Sequence, residues 1–136
     1  MVRGRVIYVS DRDVTRLKDC LNDGRSRYGD MLGRYAQSLH AELKRARVVP
    51  EHLLPADVVA LDSSVRVSDL DTEGAMAFRL TLPDDANGAD RVSVLSPLGM
   101  AFFGYRVGDR LDWGPVERLI RLRIDAVSRR RRRARH

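Results

Sequence analysis

The chain has 136 residues, of which 43% are hydrophobic and 32% charged, which suits one ordinary domain or a small domain with a helical appendage. No apolar run approaches the roughly 20 residues that a membrane helix needs, and the N-terminus is too weakly apolar for a signal peptide. A single cysteine, Cys20, excludes an internal disulfide and a cysteine-based zinc site. The sequence therefore predicts a soluble cytoplasmic protein.

The formal net charge of +6 is concentrated at one end of the chain. Residues 129–136 read RRRRRARH, and the rest of the chain has 19 basic and 19 acidic residues. The net charge therefore indicates a basic tail and not a nucleic-acid-binding surface spread over the fold. Because like charges repel, residues 128–136 are predicted to form a disordered tail with weak, salt-sensitive affinity for phosphate. Its arginines are Arg129, Arg130, Arg131, Arg132, Arg133 and Arg135.

Residues 1–49 carry the pattern of a short strand followed by a helical hairpin. After the strand candidate at residues 6–9, Ser10 is a good N-cap, and Asp13 three positions later marks a helix start. Apolar residues then recur every three or four positions in two segments separated by a glycine-dotted stretch. They are Val14, Leu17 and Leu21, then Leu32, Ala36, Leu39, Leu43 and Ala46. Two such helices with a short connection should pack antiparallel as a coiled coil.

After a predicted linker at residues 50–56, the pattern changes to short strands. Ser96, Pro97 and Gly104 suit the cap, the first position and the left-handed C-terminal residue of one short helix. Residues 57–127 are therefore expected to form a small β-barrel-like or half-barrel domain with one short helix, which makes the fold α+β. The strand candidates are residues 58–61, 65–67, 76–82, 92–94, 111–113 and 120–126, and in the last of them Ile120, Leu122, Ile124 and Ala126 are expected to share one face.

The sequence does not assemble a catalytic or metal-binding site. Its three histidines are far apart and lack the spacing of zinc motifs. Asp84 and Asp85 are adjacent, but they lie in a loop rich in turn residues, which favours solvated carboxylates over acid–base chemistry. The glycines follow helix and turn positions and form no phosphate-binding loop. No catalytic residue, metal or cofactor is predicted, and the chain is interpreted as a binding protein and not an enzyme.

Two stretches of the second half resemble the C-terminal domain of the Gre transcript cleavage factors. In residues 92–113, VSVLSPLGMAFFGYRVGDRLDW, a helix that opens with Ser-Pro is followed by a Gly-Asp turn, and residues 58–70 are similar to the opening strand pair of that domain. Residues 10–13 and 41–59 are more similar to the Rnk-type regulators of nucleoside diphosphate kinase, a branch of the GreA/GreB family. The resemblance covers roughly residues 6–127.

This resemblance implies an FKBP-like domain at residues 57–127 with a coiled coil projecting from it. The family docks on RNA polymerase near the secondary channel, so RNA polymerase is the expected protein partner. The resemblance also implies that the polymerase-facing end of the domain includes Ser96, Pro97, Leu98 and Gly99. In Gre factors, acidic residues at the hairpin tip help to hold the catalytic magnesium of the polymerase.

Geometry weighs against that last role here. The first predicted helix, residues 11–22, is about 18 Å long at 1.5 Å per residue, and Gre hairpins are considerably longer. The predicted tip mixes Asp23 and Asp30 with Arg25 and Arg27, so it offers no clean acidic cluster to a cation. The sequence therefore predicts a transcription regulator that occupies the Gre docking site without stimulating transcript cleavage.

The sequence leaves two other classes of function open. A nucleic-acid or ribonucleoprotein binder that works through the arginine tail would show steep salt dependence, which tail removal would abolish. A prolyl isomerase is suggested only by analogy of fold, and the eight aromatic residues are too few to build an aromatic-lined proline pocket easily. The oligomeric state is open under each interpretation.

Overall fold

The computed structural model describes residues 7–23, 37, 39, 41–87 and 89–129. Residues 37, 39 and 41–45 are helical and are labelled α2. Short 3-10 helices lie at Glu51–Leu53, Pro83–Asp85 and Val116–Arg118. The other elements, in chain order, are β1 Tyr8–Ser10, α1 Asp11–Asp23, β2 Arg47–Val49, β3 Ser63–Asp69, β4 Ala75–Thr81, β5 Arg91–Ser93, α3 Pro97–Phe102, β6 Arg110–Trp113 and β7 Ile120–Arg129.

The strands form two sheets. The larger sheet has the order β5-β4-β3-β7-β6, in which β3 is antiparallel to both β4 and β7, β6 is antiparallel to β7, and β5 is parallel to β4. In the smaller sheet β1 pairs in parallel with β2, so α1 and α2 belong to the connection between two adjacent parallel strands. The predicted combination of helices and β-rich structure is confirmed, whereas β2 was not expected from the sequence.

One apolar core joins both parts of the chain. The inner face of the larger sheet packs against α3, where the rings of Phe78 and Phe102 lie 5.7 Å apart between centroids. Val9 of β1, Leu17 of α1 and Leu39 of α2 belong to the same cluster and are each about 1% exposed. Full burial of a side chain of this size contributes about 1.5–3 kcal/mol. The N-terminal helices therefore share their core with the sheet.

The alternation predicted for residues 120–126 breaks at a β-bulge. Consecutive residues of β3, Arg66 and Val67, pair with Ala126 and Ile124, so Asp125 is an extra residue in β7. A bulge of one residue moves the following side chains to the opposite faces of the strand. Ala126 is exposed and the valine after it packs against the core. The prediction that Ala126 shares the face of Ile124 is wrong for this reason.

The strand predicted at residues 58–61 is not a strand. Val58 forms an isolated bridge with Arg106, and the residues up to Leu61 are buried in irregular backbone. Val59 and Leu61 belong to the main apolar core, and Val58 and Ala60 to a smaller cluster beside β1 and β2. The hydrophobicity of the segment therefore reflects burial and not pairing in a sheet. The antiparallel packing of α1 and α2 as a hairpin stays a prediction, because residues 24–36 lie outside the described residues.

A buried carboxylate holds the start of α1 against the loop before β3. The Asp13 N–H donates to Ser10 Oγ at 3.0 Å, which confirms the predicted N-cap. The Asp13 carboxylate, 3% exposed, accepts a hydrogen bond from the Leu61 N–H at 3.0 Å. Arg16 lies 3.5 Å from Asp13 and 3.0 Å from Asp62. Desolvation raises the pKa of Asp13, and it outweighs the lowering by the Leu61 N–H and Arg16.

Replacing Asp13 with alanine should lower the free energy of unfolding by about 1–3 kcal/mol, because the Leu61 N–H would stay buried without an acceptor. Asp13→Asn keeps an acceptor and should retain most of that stability in urea unfolding at neutral pH. Since the raised pKa makes the folded state bind a proton more readily than the unfolded state, wild type should gain stability relative to Asp13→Asn as the pH falls through that pKa. Equal losses in both variants would show that the charge, and not the acceptor, matters.

Candidate functional site

The predicted docking residues form the N-terminal turn of α3. Ser96 Oγ accepts a hydrogen bond from the Gly99 N–H at 3.1 Å and donates one to the Ser93 carbonyl at 2.7 Å. Pro97 is the first helical residue, where its missing N–H is not required. The predicted cap is therefore present, and two hydrogen bonds fix the side chain that provides it.

Gly99 permits a close approach between α3 and the last residue of β5. A Cβ at this position would lie 2.0 Å from the Ser93 carbonyl oxygen and 3.0 Å from Leu80 Cδ1. Side chains do not tolerate such a distance to backbone, so any substitution would move α3 away from the sheet. Gly99 thus determines the position of the helix.

The four residues differ in what they offer to a partner. Pro97 is exposed, Leu98 is half-buried against the core, Ser96 is half-buried, and Gly99 is buried. A partner that binds this turn would contact Pro97 and the accessible part of Leu98. Ser96 and Gly99 would not contact the partner but would hold Pro97 and Leu98 in place.

The other predicted site residues lie at the edge of the described residues or beyond it. Asp23 is the last residue of α1, and the composition of the hairpin tip stays a prediction. Outside the described residues lie Arg25, Arg27 and Asp30 of the predicted tip and Arg130, Arg131, Arg132, Arg133 and Arg135 of the predicted tail.

Arg129 belongs to the fold. It is the last residue of β7, so the tail boundary predicted after residue 127 falls inside a strand. Its guanidinium donates to the carbonyl oxygens of Leu54, Pro55 and Val58 at 3.1, 2.8 and 3.2 Å. Sequence reasoning placed Arg129 with its arginine neighbours because the acceptors are more than 70 positions away. A planar guanidinium with several donors can serve several carbonyls of irregular backbone at once.

A long-range ion pair was also missed by sequence reasoning. Arg106 donates to both carboxylate oxygens of Asp57 at 3.1–3.3 Å, and this hydrogen bonding raises the pKa of Arg106. The predicted Gly-Asp turn positions Arg106, since the Arg106 N–H donates to Asp109 Oδ2 at 2.8 Å and Gly108 has a φ of 93°. The turn was recognisable from the sequence, whereas its partner 49 positions earlier was not.

A polar cleft of about 460 Å³ lies beside β4 and β5. Asn87 donates to Asp90 at 2.6 Å within it, and this hydrogen bond lowers the pKa of that carboxylate. In the described part of the chain, no three metal-ligating side chains come together as an ion would require. The helices of that same part are too short or too polar to span a membrane. The cleft is lined by Asp62, Arg79, Thr81, Asp85, Asn87, Asp90 and Arg91.

Comparisons with known proteins identify the family. The family described as "Transcription elongation factor, GreA/GreB, C-term" matches residues 54–129. The chain is 38% identical over 76 residues to transcription elongation factor GreA of Thermodesulfovibrio yellowstonii, across 55% of this chain and 48% of GreA. It is 34% identical over 79 residues to the regulator of nucleoside diphosphate kinase of Escherichia coli, across 57% of this chain and 58% of the regulator. The chain thus spans about half the length of these curated relatives.

Similarity to a solved structure extends over nearly the whole chain. The prokaryotic transcription elongation factor GreA/GreB from Nitrosomonas europaea superposes with a TM-score of 0.74 at 31% identity, over 92% of this chain and 99% of that one. Because the superposition includes the N-terminal elements, the similarity is not confined to the sheet.

Replacing Gly99 with alanine should lower the free energy of unfolding by about 1–3 kcal/mol or more, because the new Cβ would overlap the Ser93 carbonyl. Gly74→Ala is the matched control, since a Cβ there would meet the Thr72 side chain at 3.2 Å. Ser96→Ala should cost about 1 kcal/mol as a lost cap. Chemical denaturation of the three variants measures these differences, and a Gly99→Ala variant as stable as Gly74→Ala would disprove the packing argument.

Arg129→Ala should lower the free energy of unfolding by about 1–3 kcal/mol, because three partly buried carbonyls lose a donor. Arg131→Ala removes the same charge from the predicted tail and should change the stability by less than about 0.5 kcal/mol. Thermal unfolding of both variants beside wild type provides the measurement. A similar decrease of the unfolding temperature in both variants would show that Arg129 behaves as part of the tail.

Proposed function

The chain belongs to the GreA/GreB C-terminal family, and on this premise we propose that it binds RNA polymerase as an Rnk-type transcription regulator. It would dock at the Gre site near the secondary channel and would not stimulate transcript cleavage. The observation that carries the proposal is the family match over residues 54–129, which takes in all five strands of the larger sheet together with α3. An FKBP-like relationship of the sheet domain and a cytoplasmic location belong to the same proposal.

The proposed contact point is the exposed surface of the α3 turn. Pro97 has a fixed φ, and Ser96 is held by its two hydrogen bonds to the neighbouring backbone. Gly99 lies against the Ser93 carbonyl. A surface that is ordered before binding loses little conformational entropy when a partner covers it. The turn is therefore suited to rigid docking through Pro97 and Leu98.

Helix α1, which begins the N-terminal arm (residues 11–45), is held in a fixed direction relative to the sheet domain. Besides the contact between Asp13 and Leu61, the Glu51 N–H donates to Asp11 Oδ1 at 3.2 Å, and Arg12 lies 3.5 Å from Glu51. These contacts hold the first turn of α1 to the segment that leads into the sheet domain. If the sheet domain docks on a partner, these contacts also fix the direction of α1 relative to that partner.

The length and charge of the arm support binding without cleavage. Helix α1 has 13 residues and rises about 20 Å at 1.5 Å per residue. Asp23 ends the helix, and Arg25, Arg27 and Asp30 follow it in sequence. Nearby guanidinium groups reduce the affinity of carboxylates for magnesium. A short arm of mixed charge is not suited to the role that the resemblance assigns to the acidic tip of Gre factors.

This proposal predicts competition without cleavage. Adding the protein to backtracked polymerase complexes should slow Gre-stimulated cleavage in proportion to its occupancy, because both factors would need one surface. Alone, it should produce no cleavage. Gels of labelled transcript over a titration of the protein, with and without Gre factor, measure both effects. Cleavage by the protein alone would overturn the second half of the proposal.

Matched variants can locate the contact. Pro97→Asp places a charge at the exposed turn, and aspartate is favourable in the first turn of a helix. Pro115→Asp makes the same change at another exposed proline that precedes a helical turn. Inhibition of Gre-stimulated cleavage should be lost in the first variant and kept in the second. Equal inhibition by both would place the docking surface elsewhere.

A further inference from the structure

The outer face of the larger sheet collects arginines from all five strands. The strand registers place these side chains on the side opposite the core, alternating with buried residues such as Val65 and Leu122. Two carboxylates, Asp112 and Asp125, share this face. At the β4–β5 end the face borders the polar cleft, whose lining adds Asp62, Asp85 and Asp90. Its arginines are Arg91 on β5, Arg79 on β4, Arg66 on β3, Arg121 and Arg123 on β7, and Arg110 on β6.

Only some of this positive charge is neutralised within the protein. Asp125 accepts hydrogen bonds from Ser68 and, at 2.8 Å, from Arg123, and together they lower its pKa. Arg121 pairs with Asp71. The charge of Arg66 also interacts with Asp125, without a direct hydrogen bond or ion pair among the described residues. Arg66 and Arg110 are both exposed on their strands.

The side chains between the arginines are small. Arg66 lies between Ala77 on β4 and Ala126 on β7 in the paired register. Within the described strands this face carries no aromatic and no long aliphatic side chain. The small residues are Ser64, Ser68, Ala75, Ala77, Ala126 and Ser128.

We propose that this outer face binds the phosphate backbone of nucleic acid without sequence preference. Guanidinium groups bind phosphate through paired hydrogen bonds, and serine hydroxyls add further donors. Five strands spaced about 4.8 Å apart spread the arginines over about 19 Å, a distance that covers several phosphates of one strand. Arginines distributed in this way can follow a backbone.

The composition of the face favours nucleic acid over an acidic protein. Stable protein interfaces depend on aromatic and large apolar anchors, which the described strands do not place here. The same lack removes base stacking, so affinity would come from the backbone and depend steeply on salt. Residues 130–133, which follow β7 in sequence, are four more arginines. The inference does not depend on polymerase binding.

The test is fluorescence anisotropy of a labelled single-stranded DNA of about 20 nucleotides with the full chain, over a series of salt concentrations. Arg66→Ala combined with Arg110→Ala should weaken binding about tenfold at low salt. The slope of log affinity against log salt should fall by about 1.4, because each lost phosphate contact removes about 0.7. Both side chains are exposed, so thermal unfolding should match wild type.

The matched control, Lys44→Ala combined with Arg47→Ala, removes two exposed positive charges that lie outside this face. It should change the affinity by less than about twofold. Equal effects of the two double variants would overturn the proposal, since net charge alone would then explain binding. Unchanged binding in the face variant, with loss on deletion of residues 130–136, would assign binding to the terminal arginines. Polyglutamate that competes as strongly as DNA would identify an acidic protein as the partner instead.

Discussion

Gly104 is the point where three parts of the chain meet at a distance that permits no side chain. Its N–H donates to the Val59 carbonyl at 2.9 Å, and its carbonyl accepts from the Tyr8 N–H at 3.3 Å. With a φ of 85°, it turns the chain after α3 toward β1, and a Cβ would lie 2.6 Å from Ile7 Cβ. A glycine is required here both by backbone conformation and by space. The association of the N-terminal strand with the sheet domain depends on this contact.

Because β1 is fixed at Gly104 and continues directly into α1, the direction of the helix is set by the sheet domain. The buried carboxylate of Asp13 extends the same attachment by one helical turn, and it does so at the cost of a desolvated charge whose pKa is raised. Burial of a charge is tolerated where polar contacts offset its desolvation, and the Leu61 N–H and Arg16 offset part of it. The orientation of the arm thus rests on specific polar contacts in addition to the shared apolar core.

Features determined by neighbouring residues could be predicted from the sequence. The caps at Ser10 and Ser96 depend on residues three positions away, and the left-handed conformation of Gly104 depends on the end of a helix. Features that depend on distant partners could not. Asp125 is a bulge only because of how β3 pairs with β7, and Arg129 finds its carbonyl acceptors in the segment before β3. In the candidate site, local rules identified the α3 turn but not the exposure of its residues, which depends on the packing of α3 against the sheet.

The distribution of charge also depends on distant partners that the sequence does not reveal. Counting residues correctly gives a neutral body, but a count cannot reveal that strand pairing gathers six arginines on one side of a sheet. The carboxylates that balance these arginines include Asp125 on the same face and Asp90 in the cleft beside Arg79 and Arg91. Helix α3 packs on the inner face through Phe102 and Phe78, so the α3 turn and the arginine face lie on opposite sides of the sheet. A partner bound at Pro97 would leave the arginines accessible. One small domain could therefore contact a protein through one side and a phosphate backbone through the other.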